Sequence, residues 1–141
     1  MYKKILAPVD GSESCNNSLG EAIKIAKAGD AKITAIHVYP DYSKTLVDPK
    51  EAIPEILRHE AESILTNAKR IAIAEGFKIE TLMVSGDPVK QIIKTANDEN
   101  FDLIVMGARG KNIIEKLVLG SVSSGVLKGA SCPVLITKCN V

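Results

Sequence analysis

The 141-residue chain has no excess of charge of either sign. Its 18 Lys and Arg stand against 17 Asp and Glu, a formal net charge of +1. A surface so balanced provides no field for drawing in nucleic acid or an anionic membrane, so neither is expected as a partner. Long hydrophobic runs are missing too. Nothing approaches the roughly 20 apolar residues that span a bilayer. The opening MYKKILAPVD has two lysines but neither the apolar stretch nor the cleavage site of a signal peptide. A soluble cytoplasmic protein is the expectation. Cysteine is scarce: Cys15, Cys132 and Cys139 make no C-x-x-C spacing, which removes the common metal and redox motifs and leaves small buried or half-exposed thiols. Two familiar phosphate signatures are also absent. No G-x-G-x-x-G dinucleotide fingerprint occurs, and a P-loop would need glycine where Val105 stands and Ser or Thr where Asn112 stands, although Gly110 and Lys111 form a GK pair.

What is present is ordinary globular composition, and at this length residues 1–141 suffice for one domain with one core. The short apolar run KKILAPVD reads as a strand that delivers Asp10, Gly11 and Ser12 at its carboxyl end. Leu19, Ile23 and Ala26 then repeat at helical spacing until AGD stops the pattern, and KITAIHVY is a second strand. Residues from Pro40 to about Ala52 turn polar and read as a loop. Ile53, Leu57, Ala61, Ile64, Ala68 and Ile71 mark one face of a long helix that runs to Gly76. KIETLMVS is a third strand, followed by a helix with Asp87 as N-cap and Pro88 in its first turn. LIVMG, a helix from about Ser121 to Leu127, and CPVLIT complete the chain. Strands alternating with helices predict an α/β fold: an open five-stranded parallel sheet, doubly wound and Rossmann-like, with helices on both faces. The near-continuous apolar runs ILAPV, LIVM and VLI suit strands buried on both faces.

Ligands in such sheets sit beyond the carboxyl ends of the strands, where strand order reverses. Two unusual segments fall at that edge: the Asp10–Ser12 turn, and GARGKNIIEKLVLGS from Gly107 to Ser121. Glycines allow positive φ, so Gly107 and Gly110 could turn successive N–H groups inward as an anion nest. Gly120 then opens a helix whose first turn carries unsatisfied N–H groups, with Ser121, Ser123 and Ser124 as hydroxyl donors. Asp10 fits either a ligand contact or a cap of the first helix. Arg109 and Lys111 either neutralise phosphate or point into solvent. Ile113, Ile114, Leu117 and Val118 read as packing residues, His37 as a hydrogen-bonded imidazole of the core or the sheet edge, and His59 as solvated.

The spacing Gly107-x2-Gly110-x9-Gly120-Ser121, with PVDGS after the first strand and a final PVLI, resembles the ATP-binding subclass of the universal stress protein family over the whole chain. That resemblance implies that Gly107, Gly110, Gly120, Ser121 and Ser123 hold the phosphates of ATP; Arg109 joins this candidate set by its charge and not by the resemblance. The resemblance implies that Pro8, Val9 and Asp10 lie against the nucleoside, that the backbone of Val38 meets the adenine, and that Met106 and Val122 complete the wall. It further implies Mg²⁺ or Mn²⁺ on the phosphates, with no carboxylate set here that identifies protein ligands. A homodimer through the C-terminal strand is expected both from the family and from an uncharged edge strand that needs pairing. The function so implied is a nucleotide-dependent regulatory module of the stress response. A slow ATPase in the same pocket, or an interaction dimer that binds no nucleotide, are the alternatives.

Overall fold

A computed structural model describes residues 1–41, 55–108 and 119–138, the side chains of Glu13 and Ser14 excepted. The elements follow the expected order: β1 (Lys4–Pro8), α1 (Glu13–Gly29), β2 (Lys32–Tyr39), α2 (Glu55–Ala74), β3 (Glu80–Ser85), α3 (Pro88–Asp98), β4 (Leu103–Gly107), α4 (Ser121–Gly129) and β5 (Val134–Thr137). The five strands form one parallel sheet in the order β3-β2-β1-β4-β5. The chain therefore winds outward from β1 in one direction, returns to β4, and winds outward in the other. Much of the loop expected from Pro40 to Ala52 lies outside the described residues. Among the described residues no helix is long and apolar enough to cross a membrane.

Alternate side chains of the central strands feed two separate cores. Ile5, Ala7, Val9, Ile33, Ala35, Leu103 and Val105 pack with α1 and α2, through Leu19, Ile23, Leu65 and Ala68 among others. Leu6, Ile36, Ile104 and Met106 pack on the opposite face with Ile92 and Ala96 of α3 and Val126 of α4. Both faces of the central strands are thus covered, which is why their sequences are apolar without alternation.

Local chemistry explains the ends. Ser12, not Asp10, is the N-cap of α1: its side chain accepts from the Cys15 amide. At the other end the left-handed residue is Asp30 (φ 55), with its N–H on the Ala26 carbonyl. Asp87 caps α3 by accepting from Lys90 N, with Pro88 opening the helix as expected. The buried stripe of α2 is Ala61, Leu65, Ala68 and Ala72, with Ile64 and Ile71 on its flank and Ile53 outside the described residues. Small residues at its centre let that helix lie close to the sheet. Helix α4 extends two residues beyond Leu127, and glycine again permits close approach. A Cβ on Gly125 would stand 2.7 Å from Val89 Cγ2, and one on Gly129 would stand 2.6 Å from Ile93 Cδ1.

Candidate functional site

The sheet opens at its switch point. Strands β1 and β4 pair only at Ile5–Leu103 and Leu6–Ile104. Beyond Leu6, β1 stays with β2 as far as Pro8–Ile36, where Val9 N–H donates to Ile36 O at 2.9 Å. Beyond Ile104, β4 stays with β5 as far as Gly107–Thr137, where Ala108 N–H donates to Thr137 O at 2.9 Å. Two neighbours that each keep the outer partner and release one another leave a crevice between their carboxyl ends. The Asp10–Ser12 turn rises from one wall and the start of the glycine segment from the other, so the two unusual segments do share one edge.

On the first wall, Asp10 Oδ1 accepts from Ser12 N at 2.9 Å and from the Cys15 thiol at 2.9 Å. Gly11 takes φ 87, a conformation other residues resist, and a Cβ there would press on Ile64 of α2 at 3.3 Å. Cys15 is 7% exposed. Its burial, then the Asp10 carboxylate by charge and hydrogen bond, push the thiol up to about 12. His37, in β2 beside this turn, donates from Nδ1 to the Val9 carbonyl at 2.9 Å. A carbonyl only accepts, so Nδ1 carries the proton. His37 is therefore the hydrogen-bonded imidazole expected, and His59 is exposed, 3.7 Å from Glu55.

The second wall is closed at its base by a neck of three hydrogen bonds. Gly120 N–H donates to Ala108 O at 2.7 Å, and the Ser123 hydroxyl reaches Ala108 O at 2.7 Å and Gly120 O at 3.1 Å. This neck brings the two ends of the glycine segment together. Gly107 is extended, as the last residue of β4 opposite Thr137, so the positive φ anticipated there does not occur. Gly120 is the N-cap of α4 at φ −65 and ψ 163, with no side chain to cap the helix. The N–H groups of Ser121, Val122 and Ser123 precede the first intrahelical bonds, and Ser121 is exposed above them. Ser123 is 3% exposed and its hydroxyl serves the neck. Arg109, Gly110 and Lys111 lie outside the described residues.

On the first wall Pro8 ends β1 and Val9 follows it, both buried. Met106, 5% exposed, joins the α3–α4 core with the half-buried Val38 and Val122. The structure thus gathers Pro8, Val9, Asp10, Val38, Met106, Gly107, Gly120, Ser121, Val122 and Ser123 along one edge of the sheet. Sequence reasoning passed over Cys15 and Ala108. A serine three residues before Cys15 offered a cap but not the thiol's partner, and Ala108 acts through its backbone, with its N–H on Thr137 and its carbonyl in the neck. Among the described residues no group of three His, Cys, Asp or Glu could hold a metal ion.

The chain matches the universal stress protein family over residues 1–138. Universal stress protein MJ0531 of Methanocaldococcus jannaschii is 42% identical over 142 residues, covering 98% of this chain and 83% of its own. The solved structure of the hypothetical protein MJ0577 has a TM-score of 0.86 and 32% identity, with 100% of this chain and 99% of that one covered. A universal stress protein solved in complex with cAMP is similar at TM-score 0.80 and 28% identity, with 99% of each chain covered.

Proposed function

We propose, from the premise that this chain belongs to the universal stress protein family, that it binds ATP in the β1–β4 crevice and acts as a nucleotide-dependent regulatory module. One observation carries the reading: α4 starts on a bare glycine cap tied to Ala108, just past the carboxyl end of β4 where β4 has parted from β1. Unsatisfied amides and the positive end of the α4 dipole suit phosphate oxygens, and Ser121 adds an exposed hydroxyl. Arg109 and Gly110 follow Ala108 in sequence, outside the described residues, and belong to the proposed phosphate set. Pro8, Val9 and Asp10 take the nucleoside, and Val38, Met106 and Val122 give the base an apolar border. The cAMP bound by a related protein supports an adenine nucleotide as the ligand class. Mg²⁺ or Mn²⁺ would arrive on the phosphates, with phosphate oxygens and water as its ligands.

The regulatory reading follows from what the site is built of. Backbone amides grip a phosphate chain and its transition state alike, and such uniform binding raises affinity without raising rate. Occupancy then carries the signal, through contact with a protein partner. Calorimetric titration with ATP, ADP, AMP and cAMP, with and without Mg²⁺, tests the proposal. ATP should bind most tightly, and no heat from any adenine nucleotide at millimolar concentration overturns it.

A further inference from the structure

Cys15 is a buried thiol beside the site that the binding role leaves unused. Each of its polar groups is engaged. Its N–H donates to Ser12 Oγ at 3.2 Å, its thiol to Asp10 Oδ1 at 2.9 Å, and its carbonyl accepts from Ser18 Oγ at 2.7 Å. Ser18 is itself 0% exposed. The bonds run in one direction: Ser18 anchors the first turn of α1, that turn aims the thiol, and the thiol meets the Ser12 amide on a single carboxylate oxygen. Two donors from different residues that converge on one carboxylate oxygen restrict its torsion more than either does alone. At 7% exposure, water offers the thiol little competition.

We propose that Cys15 is a positioning residue for nucleoside recognition: its thiol, together with the Ser12 amide, holds the Asp10 carboxylate so that it can accept a hydroxyl of the nucleotide's sugar. This rests on the ATP-binding reading of the same crevice. A carboxylate is the natural acceptor for a sugar hydroxyl, and fixing it before the ligand arrives spares the rotamer freedom otherwise lost on binding. The burial and charge that hold the thiol protonated keep it a donor and unreactive.

The test is a mutant cycle read by ATP calorimetry on the whole protein, with urea unfolding alongside. Cys15→Ala should weaken ATP about five- to tenfold, the loss of one buried hydrogen bond. Cys15→Ser, which retains a donor, should bind within about twofold of the parent, well inside the size of that bond. In an Asp10→Asn background Cys15→Ala should change affinity no further. A merely structural thiol would lower the unfolding midpoint and leave this coupling at zero. The S–H stretching band, isolated as a difference spectrum against Cys15→Ser, should be red-shifted in the parent and relax in Asp10→Asn. A parent that binds ATP while Cys15→Ala binds equally well, or an S–H band indifferent to Asp10→Asn, overturns this inference alone. A parent that binds no adenine nucleotide overturns the proposed function and this inference with it.

Discussion

Gly120 shows how a single missing side chain can matter. Its φ of −65 and ψ of 163 suit any residue, so Gly120→Val introduces no backbone strain. What valine adds is bulk where phosphate must approach the α4 amides, displacing charge-assisted hydrogen bonds of about 1.5–3 kcal/mol each. Calorimetry should therefore show ATP affinity falling at least about tenfold in a folded Gly120→Val protein. Unchanged affinity would move the phosphate site elsewhere. Cys15 makes a second prediction, about alkaline pH. Its thiol titrates at about 12 in the folded chain against an ordinary 9.0, so above pH 9.0 the unfolded chain loses a proton that the native state keeps. Stability from this group is present below pH 9.0 and is lost as pH rises towards about 12, by up to about 1.4 kcal/mol for each pH unit. Urea unfolding at pH 8, 9.5 and 10.5 should show a shallower alkaline decline in Cys15→Ser, and parallel declines would contradict the assignment.

Between elements, the α3–α4 contact is where small changes should tell most. Gly125 and Gly129 face Val89 and Ile93, two pairs at matching helical spacing. The neighbours differ in compliance. Val89 presents both γ methyls, at 2.7 and 2.9 Å from where a Cβ on Gly125 would stand, and its branched Cβ cannot rotate them clear. Ile93 presents a terminal Cδ1 that can swing away. Alanine for glycine inside a helix ordinarily gains about 0.5–1 kcal/mol, while overpacking costs about 1–3 kcal/mol. Gly125→Ala should therefore lower stability by about 1 kcal/mol, and Gly129→Ala should be neutral or mildly stabilising. Val89→Ala should recover part of the loss in Gly125→Ala. Equal effects at the two glycines would refute this account of the helix contact.

At the scale of the whole molecule the two sheet edges are unlike. β3 begins with exposed Glu80, whereas β5 reads VLIT without a charge and leaves Leu135 38% exposed. An uncharged edge with free N–H and C=O groups invites pairing with a second copy. Light scattering at micromolar concentration should give a dimer, and Leu135→Lys a monomer; a monomeric parent would sink the idea. The sequence by itself determined the element order, the two-faced burial of the strands and the parallel sheet, because apolar periodicity, caps and glycine punctuation are local properties of neighbouring residues. The element order also put the Asp10 turn and the start of the glycine segment after the carboxyl ends of strands. Only the tertiary structure decided which atoms meet there: that Ser12 rather than Asp10 caps α1, that Asp10 turns to the Cys15 thiol, that Gly107 stays extended, and that Ser123 closes the neck on Ala108. A donor's choice among acceptors depends on where the backbone places them, and the parting of β1 from β4 depends on strands far apart in the chain, so neither is written in any local pattern.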